Sequence, residues 1–257
     1  MINIQNTVII GSGNIAGFMG LSLSKRGYKI KTVISRNTIS GAALAQTLNT
    51  DFTTSFNAVS QADLVFICVN DDQIEKVVEQ LPPTSALVCH SAGSISMNVL
   101  DKFSRCGVFY PLQSIAPHQA KLPEACPILI EAKMAADLSL LEGLVKSIGY
   151  QATALNSEQR LIYHLAAVFV NNFTNAMLTA ASDITEQHKL DYALLQPLIQ
   201  VTLQRMDNLQ PAINQTGPAR RGDQSTMQRH IKLLKDDKEM LAVYESISKL
   251  IARKFYH

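Results

Sequence analysis

Residues 7–17 read T-V-I-I-G-S-G-N-I-A-G, an apolar run followed by G-x-G-x-x-A. The order of these residues carries chemistry. Gly11 permits a tight turn off a strand, Gly13 lets a pyrophosphate approach bare backbone, and Ala16 is small enough for the next helix to lie close on a sheet. The helix start, over Ser12, Asn14 and Ile15, offers unpaired N–H groups and a positive dipole end to the phosphates. Because the motif opens a strand–helix–strand pattern, it is read as a dinucleotide-binding turn. An NAD site usually places Asp or Glu about 20 residues later, on the ribose 2′-hydroxyl. Here Val33-Ile34-Ser35-Arg36-Asn37 has no acid nearby. Arg36 with Ser35 or Asn37 suits a 2′-phosphate instead, through charge-assisted hydrogen bonds. NADP is the expected cofactor; the alternative for Arg36 is an exposed loop arginine.

Further candidates lie downstream. Asn70 closes an apolar strand, where it either lines the ribose or yields to Asp71 and Asp72 as caps of the next helix. Cys89-His90-Ser91-Ala92-Gly93-Ser94 ends another strand. Small residues there admit a nicotinamide ring, Ser91 joins the cofactor set, and His90 is either a proton-handling group or a structural histidine. At about 100° per residue, His164, Asn171 and Asn175 share one helical stripe, with Val168 as its apolar member and Asn172 at its edge. Buried amides and imidazoles need partners, so this stripe either bonds to neighbouring helices or faces a cleft. His164 is the acid–base candidate of this half, with a helix–helix hydrogen bond as its other role. Thr216–Asp223 (T-G-P-A-R-R-G-D) presents Arg220 and Arg221, whose forks suit a carboxylate or phosphate; a solvated basic loop is the alternative. The pattern does not distinguish which arginine points inward. No cluster has metal-ligand spacing, so no metal is expected.

These residues must be positioned by elements of two kinds. Short apolar runs at 7–10, 29–34, 63–69, 86–89, 108–110 and 127–130 alternate with helix-period segments at 14–25, 40–48 and 72–80. Near-continuous apolar strands separated by helices predict an α/β doubly wound parallel sheet, covered on both faces. After Asn156 only helical period remains. Asn156 and Gln159 form a capping-box pattern opening a helix to about Ala181. Further helices are predicted after Asp191, over 224–235 and over 238–255. The expected domains are 1–155, binding cofactor, and 156–257, all helical.

Composition narrows the function classes. The 257 residues carry 23 Lys+Arg against 21 Asp+Glu, a formal charge of +2. That balance lacks the basic excess of a nucleic-acid or anionic-membrane protein. With 47% hydrophobic residues, the chain reads as globular and directed at a small molecule. Cys68, Cys89, Cys106 and Cys126 form no C-x-x-C pair, which agrees with a reducing, cytoplasmic setting. The first apolar stretch has no basic flank and breaks at Gly11, unlike a signal peptide. No run reaches the roughly 18 apolar residues of a membrane span.

The glycine loop, Ser35-Arg36, H-S-A-G-S at 90–94, Y-P-L-Q-S at 110–114, the H…N-N-F helix and T-G-P-A-R-R-G-D together resemble one group over essentially the whole length. It is that of the Rossmann-like NADP oxidoreductases whose helical second domain is a domain of unknown function. The group is similar to pyrroline-5-carboxylate reductases, 3-hydroxyacid dehydrogenases and deazaflavin-dependent NADP reductases. The resemblance implies a helical domain of the 6-phosphogluconate dehydrogenase C-terminal type, a homodimer, and a substrate cleft between the domains. 3-Hydroxyacid dehydrogenases carry a catalytic lysine four residues before an asparagine. With Asn172 as that asparagine the position holds Val168, and with Asn171 it holds Ala167, so no lysine-assisted mechanism is expected. The Ser/Gly/Thr-rich substrate loop of the pyrroline-5-carboxylate reductases is not evident at Ser157 either.

The expected activity is hydride transfer between NADPH and a small carbonyl, imine or hydroxy compound with an acidic group. Arg221 or Arg220 would anchor that group, His164 or His90 would handle the proton, and Asn172 would orient it. The alternative is a nucleotide sensor on the same fold that transfers no hydride.

Overall fold

Alternation along the strands builds a sheet with two apolar faces. The elements in chain order are β1 (Thr7–Ile10), α1 (Asn14–Ser24), β2 (Ile30–Ile34), α2 (Thr38–Leu48), β3 (Asp51–Thr53), β4 (Leu64–Ile67), α3 (Ile74–Gln80), β5 (Leu87–His90), β6 (Cys106–Pro111), β7 (Pro127–Ala132), α4 (Ala135–Ser147), β8 (Gln151–Ala154) and α5 (Ser157–Ala167). A π-helical turn, Val168–Phe173, comes directly after α5. Ile9, Phe66, Cys89 and Phe109 face one way, into a core shared with α1 and α4. Val8, Ile10, Val65, Ile67 and Val88 face the other way, against α3. Phe66 and Phe109 are fully buried and meet edge to face, centroids 5.4 Å apart. Each such side chain contributes about 1.5–3 kcal/mol by leaving water.

The computed structural model describes residues 4–115, 125–208 and 210–256. The chain divides into two units, 1–173 and 174–257. In the first, the eight strands lie in the order β3-β2-β1-β4-β5-β6-β7-β8. This is the doubly wound arrangement, with two departures from the sequence reading. β6 and β7 are antiparallel, Pro111 facing Ile128 and Gly107 facing Ala132, and β8 runs parallel to β7. The sheet is therefore mixed. β3 and β8 were also not expected, being three and four residues long with partly exposed side chains.

The capping box at the start of α5 is present: the Asn156 side chain accepts from the Gln159 N–H at 2.8 Å, and Gln159 Oε1 accepts from the Asn156 N–H at 3.1 Å. The helix expected from there to Ala181 is not uniform. It comprises α5, the π-helical turn and α6 (Thr174–Gln187). A π turn takes an extra residue per turn and so shifts the phase of the helix beyond it.

The regular elements among the second unit's described residues are helices: α6, α7 (Gln196–Gln204), α8 (Pro211–Asn214), α9 (Pro218–Arg221), α10 (Gln224–Leu233) and α11 (Lys238–Phe255). Asp223 and Asp237 cap α10 and α11 by accepting from the Thr226 and Met240 N–H groups. The Thr216–Asp223 segment, expected as an irregular loop, holds the single turn α9. No helix among the described residues is long and apolar enough to cross a membrane.

Candidate active site

The glycine loop leaves β1 through Gly11, whose φ of +119° lies where only glycine is unstrained. A Cβ there would sit 2.1 Å from the carbonyl oxygen of Cys68, just beyond β4. Gly13 is the N-cap of α1; no side chain caps the helix, and no acid lies in its first turn. A Cβ built on Gly13 would meet nothing within 4 Å. Unspent N–H groups at a helix start, open space beside them and no competing carboxylate fit a pyrophosphate. Ser12 Oγ is 2.9 Å from Ser35 Oγ and 2.7 Å from Ser40 Oγ, tying the loop to the end of β2. The Ile15 side chain packs on the core. Asn14 Nδ2 donates to the Ile115 carbonyl at 2.8 Å and so joins the loop to the segment after β6.

Beyond β2, Ser35 is buried, and Arg36 is exposed with no hydrogen-bond partner among the described residues. Asn37 is otherwise employed: its Oδ1 caps α2, accepting from the Ile39 and Ser40 N–H groups at 3.1 and 3.0 Å. Among the described residues Arg36 is thus a free cation beside the loop, and the fit to a 2′-phosphate rests on it.

At the ends of β4 and β5 the candidates separate. Asn70 is exposed, and its side chain caps nothing. Asp71 accepts a short hydrogen bond from the Ser94 hydroxyl, linking the two strand ends. The Ser91 hydroxyl is spent on the Ile67 carbonyl at 3.3 Å. His90 is fully buried, and its Nδ1 accepts from the Ala92 N–H at 3.2 Å. Burial, aided by the Arg160 charge, pushes its pKa down to about 3. A neutral ring with no exposed surface cannot trade protons with a ligand, so the proton-handling role expected of His90 does not fit this structure. It is a structural histidine.

His164 stands differently. Its Nδ1 lies 3.1 Å from the Tyr110 hydroxyl, with the two rings edge to face, 6.0 Å apart at 71°. Gly93 packs against both, since a Cβ there would fall 2.6 Å from His164 Nδ1 and 2.8 Å from Tyr110 Cζ. The small residues after β5 therefore make room for this pair. Both rings line a cleft of about 510 Å³, with Gln113, Ser114, Asn171 and Asn172 among its walls. Val168 and Ala167 line it too, so neither position supplies an ammonium group. Among the described residues its lining contains no Asp, Glu, Lys or Arg. Burial, and next the Asp71 carboxylate, raise the Tyr110 pKa above its ordinary value, which keeps the phenol protonated.

Arg160, one turn before His164, fixes the helix. It is 1% exposed, and its guanidinium makes a short ion pair with Glu131 of β7. Its Nη2 donates to the Ile95 carbonyl at 2.5 Å and to Ser157 Oγ at 3.1 Å. Glu131 also accepts from the Ser157 N–H and hydroxyl at 3.0 and 2.8 Å. α5 is thereby bolted to β7 and to the loop that carries Gly93. Sequence reasoning missed the roles of Tyr110 and Arg160 and the bond that joins Asp71 to Ser94. The Y-P-L-Q-S and H-S-A-G-S runs held Tyr110, Gly93 and Ser94, but nothing local in those runs points to His164.

In the second unit, the two arginines of the T-G-P-A-R-R-G-D segment part company. Arg220 donates to the Gln215 carbonyl, lies over the Phe255 ring at 4.9 Å, and has its own carbonyl bonded by the Tyr256 hydroxyl. Arg221 is exposed, and its side chain has no hydrogen-bond partner among the described residues. Hydrogen bonds from Thr226 and Ser225, and then the Arg221 charge, hold the nearby Asp223 carboxyl below its usual range. Arg221 is the arginine left free to meet a ligand.

An open glycine turn at a helix start and a bonded Tyr–His pair, joined through Asn14 and the segment after β6, fit a nucleotide-dependent oxidoreductase of the Rossmann class. Residues 6–93 match the family model described as NADP oxidoreductase, coenzyme F420-dependent, and residues 126–251 match a domain of unknown function, DUF2520. The chain is 33% identical to a provisionally designated NADP oxidoreductase of Bacteroides fragilis, over 97% of this chain and 98% of that one, with a TM-score of 0.86. It belongs to this NADP oxidoreductase family. The fold is shared more distantly with an imine reductase of Myxococcus stipitatus in complex with NADP+, at 15% identity over 96% and 93% of the chains and a TM-score of 0.71. A reductive aminase of Aspergillus terreus in complex with NADPH and ethyl-5-oxohexanoate gives 14%, 98% and 95%, and 0.71. No curated protein matches the chain.

Proposed function

We propose that this NADP oxidoreductase reduces a small carbonyl or imine, or runs the reverse reaction on the hydroxy or amino product, in the cleft beside His164. The observation that carries this reading is the Tyr110–His164 pair at the end of β6, within a few residues of the carbonyl that holds Asn14 of the glycine loop. Imine reduction by proteins of the same fold supports the substrate class. Residues 11–15 would hold the pyrophosphate, Arg36 the 2′-phosphate and Asn70 the ribose. The nicotinamide supplies the hydride; the chain supplies placement and a proton. Asn171 and Asn172 offer amide groups to orient the substrate. Arg221 of the helical unit is the group assigned to an acidic ligand.

A double dissociation tests this assignment. His164→Ala and Arg221→Ala should each lower turnover at least tenfold while leaving NADPH affinity within about twofold, as removal of a general acid or of a charged anchor predicts. Arg36→Glu should do the reverse, weakening NADPH at least tenfold by placing a carboxylate against a phosphate. Substrate panels of aldehydes, keto acids and cyclic imines, read by NADPH fluorescence, give both quantities. Wild-type turnover in both alanine variants would remove His164 and Arg221 from the reaction.

We also propose a homodimer. Leu190, Leu194, Leu198 and Leu233 of the helical unit are each more than 60% exposed, far more apolar surface than a lone helical unit keeps in water. A second copy is the simplest cover. Sedimentation at micromolar concentration should give about twice the chain mass; a strictly monomeric profile overturns the proposal.

A further inference from the structure

Tyr110, Tyr163 and His164 line the cleft, and of these Tyr110 and His164 form a bonded pair whose arrangement ranks them. Tyr110 sits at the carboxyl end of β6, five residues before the carbonyl that holds Asn14. His164 approaches from α5 and reaches the phenol through Nδ1, leaving Nε2 with no hydrogen-bond partner among the described residues. Gly93 backs both rings so closely that neither can retreat. Asp71, which faces Tyr110 electrostatically, is occupied by the Ser94 hydroxyl, and Arg160 is paired with Glu131. The Asp71 carboxylate is therefore engaged, and a guanidinium has no acceptor site for a proton.

Building on the reductase reading above, we propose that the Tyr110 hydroxyl touches the substrate and gives it the proton, and that His164 refills the phenol through Nδ1. The bonds balance. As hydride from NADPH adds to the electrophilic carbon, the C=O or C=N π pair moves to the heteroatom. That atom takes the Tyr110 Oη proton. The Nδ1–H bond of a protonated His164 breaks as its proton passes to Oη, leaving phenol and neutral imidazole. The substrate gains two electrons, the nicotinamide loses them, and His164 recovers its proton from water.

Tyr110→Phe tests this because it keeps the ring packing against Gly93 and removes only the hydroxyl. A proton donor lost in this way costs about 10²–10⁴-fold in kcat. The expectation is a loss of at least 100-fold, with NADPH affinity and melting temperature unchanged. A readout free of turnover accompanies it: ¹⁵N NMR of the wild type should show His164 Nδ1 as a hydrogen-bonded donor, a signal lost in Tyr110→Phe. Difluorotyrosine at position 110, which acidifies the phenol without removing it, should move the pH profile of kcat. Should Tyr110→Phe turn over like wild type while His164→Ala is inactive, His164 is itself the donor: the proposal falls and the reductase reading stands. If wild type consumes no NADPH across the panel, the reductase reading falls and takes the proposal with it.

Discussion

Gly11→Ala should lose NADPH binding by at least 100-fold and some stability with it. The new methyl would stand 2.1 Å from the Cys68 carbonyl oxygen and 2.7 Å from its carbon, and these are backbone atoms with no rotamer to escape into. The Cys68 N–H also donates to the Ile10 carbonyl at 2.7 Å, so pushing Cys68 away tears the join between β1 and β4. The φ of +119° adds strain of about 1–3 kcal/mol for any residue with a Cβ. A 100-fold loss of affinity corresponds to about 2.7 kcal/mol, within what a displaced helix start can forfeit. Gly13→Ala is the matched control. Its methyl meets no protein atom within 4 Å, so the variant should fold like wild type and still bind NADPH poorly. Fluorescence titration and urea denaturation of both variants separate the two causes. Normal NADPH affinity in Gly13→Ala would mean that the pyrophosphate does not lie on that glycine.

Arg160→Met should cost about 3–5 kcal/mol of stability, the usual penalty for removing one partner of a buried ion pair. Met fills much of the same volume, so the loss comes from Glu131, left as a carboxylate without its cation, and from the Ile95 carbonyl, left without its donor. Adding Glu131→Leu should return a large part of that energy, because an apolar pair of similar size dispenses with both charges. Turnover should not return with it, since the double variant still lacks the bond from Arg160 to Ile95, which with that from the Met97 N–H to Ser157 Oγ ties α5 to the segment after β5. Urea midpoints for wild type, single and double variants, alongside kcat, give the comparison. A single variant within 0.5 kcal/mol of wild type would show that Arg160 bolts nothing.

Features that are local along the chain were legible in the sequence. Residues 11–16 sit in one turn and one helix start, and their spacing alone describes a phosphate cradle. The capping box of Asn156 and Gln159 is equally local. Features that escaped depend on partners far away. β3 and β8 are strands only because β2 and β7 lie beside them, and no apolar run marks either one. Tyr110 and His164 are 54 residues apart, and only the sheet edge brings them together. Burial on α5 also runs against residue type: Arg160 is hidden while its neighbour Ile162 is 62% exposed. A reading by polarity places the first outside and the second inside. The stripe drawn through His164, Asn171 and Asn175 assumed one unbroken period. The π turn from Val168 breaks it, and the cleft collects Asn171 and Asn172 side by side.

The reversed direction of β7 also sets a ruler for the site. β7 and β8 run against the parallel strands, and Glu131 stands opposite Val108, level with the carboxyl ends of β4 and β5, where it grips Ser157. Tyr110 lies two residues further along β6. Between the gripped Ser157 and the imidazole, seven residues of helix rise about 10.5 Å. The same residues set the angle, because each contributes about 100° of rotation. One residue more or fewer would turn the imidazole just over a quarter of a circle away from the phenol. Composition within this stretch can drift; its length is fixed by a carboxylate on β7 that holds the helix start and a hydroxyl on β6 that the imidazole must meet.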